Sequence, residues 1–229
     1  MQYKPDIRII RVMCSGRIDP SLIMEAFVNG ADGVFCGGCL LGECRYISGN
    51  YQAQGKILLT QLALKRAGIS PERLTIKFMS SAEAQKFVKY VSEFMDKIIE
   101  LGRIGKAENL SENELKLKLE AVRNALEGKK LRWVVGKRTE FMESGNLYNE
   151  IFTAHEIERM FKEVVMDEVD LQEILLRLKN KPSSVKELSE KMRLPSHRIL
   201  REIANLKKMG LVELEDVSGS SPLWKTVDE

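Results

Sequence analysis

Four cysteines, Cys14, Cys36, Cys39 and Cys44, crowd the start of the chain, and residues 45–229 contain none. Thiolates are soft donors that suit zinc and iron–sulfur clusters, so four of them in one short stretch point to a metal centre. Four thiolates would complete a 2Fe-2S or a 4Fe-4S cluster. The run Cys36-Gly37-Gly38-Cys39 followed by Leu40-Leu41-Gly42-Glu43-Cys44 can wrap a metal, with Gly37, Gly38 and Gly42 supplying backbone freedom and amide donors for cluster sulfurs. Zinc is the competitor. Four-cysteine zinc sites usually pair two Cys-x-x-Cys knuckles, and Cys36/Cys39 is the single pair with that spacing. A redox dithiol at Cys36 and Cys39 is a third option, which two further nearby thiols weaken. A disulfide framework belongs to small secreted scaffolds, and close thiols in a reducing cytosol read instead as metal ligands or redox groups.

The elements around the cysteines predict how they meet. The β-branched run 7–13 (Ile7-Arg8-Ile9-Ile10-Arg11-Val12-Met13) reads as a strand ending at Cys14. Asp19-Pro20 reads as the cap and first-turn proline of a helix over 21–28, and Asn29-Gly30 as its stop. A strand over 33–36, a helix over 54–66, a strand over 74–79 and a helix over 81–101 follow. Strands alternating with amphipathic helices predict a small parallel-sheet domain of flavodoxin or Rossmann type. In such sheets the strand C-terminal ends share one edge, which would gather Cys14, Cys36 and Cys39 on one rim, with Cys44 near along the loop.

Beyond this domain (1–101) the sequence becomes charged and helical, read as a connector over 102–167, with the basic stretch 127–140 as a solvated helix end or linker. Residues 168–229 read as a third domain. Helices over 171–178, 184–192 and 196–209 precede two strands, 211–214 and 223–227, around Ser218-Gly219-Ser220. That order predicts a winged helix. Its last helix carries Arg198, Arg201, Lys207 and Lys208. From Asp167 to Glu229, however, 11 basic residues face 12 acidic ones, a poor balance for phosphate-driven DNA affinity.

The whole chain holds 36 Lys+Arg and 33 Asp+Glu, a net charge of +3, which implies no global pull toward nucleic acid or anionic membrane. No apolar stretch reaches the roughly 20 residues that span a bilayer, and no signal peptide is evident, so a cytoplasmic protein is expected. His155 and His197 read as surface helix residues, and Trp133 and Trp224 as packing residues. The glycine pattern lacks the dinucleotide spacing, so no FAD or NAD site is expected.

The segments Ile9-Ile10-Arg11-Val12-Met13-Cys14-Ser15-Gly16-Arg17-Ile18-Asp19-Pro20 and Asn29-Gly30-Ala31-Asp32-Gly33-Val34 resemble the delta subunit of methyl-viologen-reducing hydrogenases. The likeness continues through Gly38-Cys39, Gly42-Glu43-Cys44 and Tyr46-Ile47-Ser48-Gly49-Asn50-Tyr51 and spans 2–101. It implies a non-catalytic subunit with a 2Fe-2S cluster, passing electrons between a hydrogenase or other donor and a heterodisulfide-reductase-like complex whose large subunit carries flavin. By motif it carries Cys14, Cys39 and Cys44 as ligands. Cys36 stands where the family has an aliphatic residue, Leu40 and Arg45 stand where histidine is frequent, and the family's Cys-x-x-Cys pair upstream of Gln2 lies ahead of this chain's start. Cys36 is thus expected as the fourth ligand from local chemistry alone. The alternative function is a redox-responsive regulator using the winged helix on DNA, against which protein docking is at least as compatible with the charge balance.

Overall fold

The computed structural model describes residues 5–218 and 221–227, and these fall into two units, Met1–Val165 and Met166–Glu229. In the first unit local chemistry starts the helices. Asp19 accepts hydrogen bonds from the Ser21 amide (3.0 Å) and hydroxyl (2.7 Å), and Pro20 opens α1 (Pro20–Val28) with φ already set for a helix. β1 (Val34–Gly38) leads through the cysteine loop into α2 (Gly49–Arg66), which returns the chain to β2 (Leu74–Phe78). β1 and β2 pair in parallel, with Cys36 opposite Ile76. The fold is therefore mixed α/β, with a small two-stranded parallel sheet and many helices.

The strand expected over 7–13 does not form. Residues 7–12 are irregular, and Ile9, Ile10 and Met13 are exposed. A β-branched run becomes a strand only when a neighbour accepts its ladder of hydrogen bonds, and the described sheet consists of β1 and β2 alone.

α3 (Ala84–Leu101) covers one side of β1, where the Phe35 and Phe94 rings lie 5.7 Å apart. Gly33 permits this approach, because a Cβ there would stand 2.9 Å from Phe94 Cζ. α4 (Glu112–Glu127) begins at Ser111, whose hydroxyl accepts from the Glu114 amide, and packs on α1. α5 (Lys129–Glu143), formed by the basic stretch expected as a solvated helix end or linker, is a full helix and packs on α2. Ile23, Phe27, Leu64, Leu119, Val122 and Leu131 are buried on these helices. Each such side chain contributes roughly 1.5–3 kcal/mol. Arg73, fully buried, ties the loops together by donating to Glu108 (2.7 Å), the Asp32 carbonyl (3.0 Å) and the Gly102 carbonyl (2.8 Å).

The division between units falls inside α6 (Ala154–Asn180). In the second unit, Ser183–Ser184 forms the short β3, and Ser184 then caps α7 (Val185–Met192) in a capping box with Glu187. α8 (Ser196–Lys208) precedes the antiparallel pair β4 (Val212–Ser218) and β5 (Ser221–Thr226), in sheet order β3-β5-β4. Gly219 and Ser220 of the expected turn lie outside the described residues. Ile174, Leu178, Leu188, Ile199, Ile203 and Leu206 form the core, with Trp224 packed against it.

Candidate metal centre

Cys14 stands in extended conformation just before the 3-10 turn Ser15–Arg17, and its sulfur accepts from the Gly16 amide at 3.4 Å. Cys39 and Cys44 lie in the loop from β1 to α2. The structure brings these three together. Cys14 Sγ and Cys44 Sγ are 3.8 Å apart, and a thiol–thiol hydrogen bond links Cys44 to Cys39. Cys36 is elsewhere, buried within β1, and among the described residues no hydrogen bond joins it to another cysteine.

The site is built on the N-terminus of α2. Ser48 makes no side-chain cap, and the Cys44 sulfur takes the Asn50 amide instead. The Tyr46 amide, then the Asn50 amide and the Cys14 and Cys39 thiols, hold the Cys44 thiol below its ordinary range despite the opposing effect of burial. Helix N-termini favour thiolates for the same reason that they favour other anions. Burial and then the Cys44 thiol push Cys39 up, as expected when neighbouring thiols share one proton network. Burial alone pushes the Cys36 thiol up to about 11.

Two glycines permit the cluster of sulfurs, and neither belongs to the glycine-rich run Gly37-Gly38. A Cβ on Gly49 would collide with Cys14 Sγ and stand 3.1 Å from Cys44 Sγ. A Cβ on Gly16 would stand 2.7 Å from the Gly49 carbonyl oxygen. Gly42 contributes through its positive φ of 84°, whereas a Cβ on Gly37 would meet nothing closer than 3.9 Å.

Sequence reasoning missed two supporting side chains. Asn50, fully buried, donates through Nδ2 to the Leu40 carbonyl (2.6 Å) and the Cys39 carbonyl (3.3 Å), and reaches the Cys39 sulfur at 3.8 Å. It holds the cysteine loop on α2. Lys56 donates to the Gly16 carbonyl at 2.8 Å and pins the Cys14 turn from the other side. Burial lowers the Lys56 pKa, with Asp19 and Cys14 acting in the opposite sense. Asp19 is itself held low: burial would raise it, but the Ser21 amide and hydroxyl, Arg132 and Lys56 prevail. The signals available for Asn50 are its place in the family-like segment Tyr46-Ile47-Ser48-Gly49-Asn50-Tyr51 and its position as a polar residue just after a cysteine loop.

The donor chemistry fits part of a cluster. A tetrahedral metal with metal–sulfur bonds of about 2.3 Å sets two ligand sulfurs about 3.8 Å apart, which is the Cys14–Cys44 separation. Cys39, hydrogen-bonded to Cys44, is the third thiol of this group. Among the described residues, no group of three or more His, Cys, Asp or Glu side chains is arranged to hold a metal ion. His155 and His197 belong to α6 and α8, outside this loop. No described helix is long and apolar enough to cross a membrane.

The site is thus a group of three thiols gathered at a helix N-terminus in a mixed α/β unit. Residues 1–102 match the family described as methyl-viologen-reducing hydrogenase, delta subunit (FlpD), and the chain belongs to that family. It is 48% identical over 109 residues to the iron-sulfur subunit of the vhc F420-non-reducing hydrogenase of Methanococcus voltae, covering 48% of this chain and 76% of the relative. The corresponding iron-sulfur subunit from Archaeoglobus profundus is 45% identical over 100 residues, covering 44% and 73%. One polypeptide of the ferredoxin/F420H2-dependent CoB-CoM heterodisulfide reductase of Methanosarcina acetivorans is 39% identical over 105 residues, which are 46% of this chain but 13% of that protein. The family match covers the cysteine-bearing part of the chain.

Proposed function

We propose that the chain is a non-catalytic, cytoplasmic electron-transfer subunit, in which Cys14, Cys39 and Cys44 are thiolate ligands of a 2Fe-2S cluster. The observation that carries this reading is the clustering of these three sulfurs on the N-terminus of α2, with Cys14 and Cys44 3.8 Å apart. Relatives named as iron-sulfur subunits support the cofactor, and the names of both sets of relatives support a place in hydrogenase or heterodisulfide reductase complexes; we extend this to a relay between a hydrogenase or other electron donor and a heterodisulfide-reductase-like flavin subunit. A bound cluster would accept and release single electrons. The protein's part is to supply negative thiolates, to hold them with the Gly16, Tyr46 and Asn50 amides, and to brace the loop through Asn50 and Lys56. Buried and protonated in β1, Cys36 is poorly suited to be the fourth ligand without loss of the β1–β2 register, so we assign that place to a donor other than the described cysteines.

Residues 1–101 are read as a reduced flavodoxin- or Rossmann-like iron–sulfur domain, which the parallel β1–β2 pair with its α2 crossover supports. Residues 102–167 form its helical extension. Residues 168–229 are read as a winged helix, supported by the order α6-β3-α7-α8-β4-β5. Its last helix favours protein docking over DNA. Arg198 pairs with Asp170 (2.8 Å) and Arg201 with Asp167 (2.6 Å) and Glu202 (2.8 Å), so both arginines are already engaged.

The test is anaerobic purification with iron, sulfide and zinc analysis, plus electron paramagnetic resonance of the reduced protein. Iron and acid-labile sulfide in equal amounts, with the signal of a reduced 2Fe-2S centre, are expected. Zinc without sulfide would reject the reading.

A further inference from the structure

The helical extension does more than cover α2. Between α2, β2, α5 and the first turns of α6 lies a cavity of about 360 Å³. Gln61, Ile57, Thr75 and Ile76 line it from the part of the chain that matches the family, and Arg138 and Glu158 from the part that does not. No cysteine lines it.

Arg138 is the unusual group. Its Nε is sealed from solvent without a hydrogen-bond partner, and among the described residues the guanidinium has neither a hydrogen bond nor an ion pair. Its stem lies so close to α2 that a Cβ on Gly55 would stand 3.0 Å from Arg138 Cδ. A half-buried cation without a partner is costly, and an anion relieves that cost. Burial indeed depresses its pKa. A planar guanidinium matches a carboxylate through two parallel hydrogen bonds. Arg138 is the single basic residue of the lining, and Glu158 adds a negative charge, so a polyphosphate or dianion is disfavoured. The isoleucine walls suit a hydrocarbon body, and the volume lies at the small end of ligand sites.

We propose that this cavity binds a small organic monocarboxylate, with the carboxylate on Arg138 and the apolar body against Ile57 and Ile76. The site is independent of the cysteine trio and belongs to the seam between the family segment and its extension.

Isothermal titration calorimetry of the full chain with benzoate tests it, with benzamide as the neutral isostere. Benzoate is expected to bind saturably at one site, with affinity at least about tenfold above that of benzamide and at least about tenfold above that for Arg138→Met. Gly55→Ala keeps every charge but pushes on Arg138 Cδ, and it is expected to weaken benzoate binding while the protein's circular dichroism is unchanged. The Gly55 variant decides the matter if Arg138→Met fails to fold. The proposal is overturned by absence of saturable benzoate binding at millimolar concentration, by equal binding of benzamide, or by affinity that a folded Arg138→Met or Gly55→Ala leaves intact.

Discussion

At Gly49 a single hydrogen atom stands where any other residue would put a carbon into the Cys14 sulfur. Gly49→Ala should therefore abolish most iron and sulfide incorporation while leaving helix content unchanged, because alanine is a better helix former than glycine. Metal analysis beside circular dichroism reads both effects. Cys36→Ala provides the opposite control. Its thiol is buried in β1, where burial pushes its pKa up to about 11, so the variant should keep its iron, whereas Cys14→Ala should lose it. Retention of iron by both, or loss from both, would contradict the ligand assignment. Lys56 holds the Cys14 turn through the Gly16 carbonyl and, on the proposed assignment, would act on the cluster only indirectly. Lys56→Met should lower the yield of loaded protein and shift the reduction potential of what remains, and Lys56→Arg should recover part of both by restoring a donor to the Gly16 carbonyl.

Elements opened by local signals could be read from sequence, and those that depend on distant partners could not. Asp19-Pro20 begins α1 as expected, and Ser184 with Glu187 marks the start of α7. The 7–13 run carries every intrinsic mark of a strand, but pairing is a property of the neighbour and not of the run. α2 starts five residues before the expected Gln54, since Gly49-Asn50 has weak helix propensity and is held by its contacts with the cysteine loop. In the site itself, spacing exposed the cysteines, while Gly16, Gly49, Asn50 and Lys56 gain their roles only when α2 meets the loop. The capping box allows a direct test. Ser184→Ala should destabilise the second unit by about 1 kcal/mol in denaturant unfolding. The Ser184 amide and hydroxyl hold the Glu187 carboxyl below its ordinary value. A depressed carboxylate stabilises the fold above its unfolded pKa, and that contribution is lost as pH falls through the folded value. The variant's deficit should accordingly shrink in acid.

On the scale of the whole molecule, one buried ion pair secures the first unit. Arg73 is sealed from solvent and relies on Glu108, whose carboxyl is held low against burial by Arg73 and the Gly105 and Ser70 amides. Glu108→Gln should cost about 3–5 kcal/mol, because it strands a buried cation, and should lower the melting temperature. By the same sign rule, the wild type should lose this contribution as pH drops below the carboxylate range. The 3.8 Å gap between the Cys14 and Cys44 sulfurs has a different consequence for the metal-free chain. A disulfide bond is about 2.05 Å long, so these thiols need only a modest approach to form one. On the proposed ligand assignment, oxygen and iron would compete for the same pair of sulfurs, so exposing the metal-free chain to air before iron is supplied should lower its iron content.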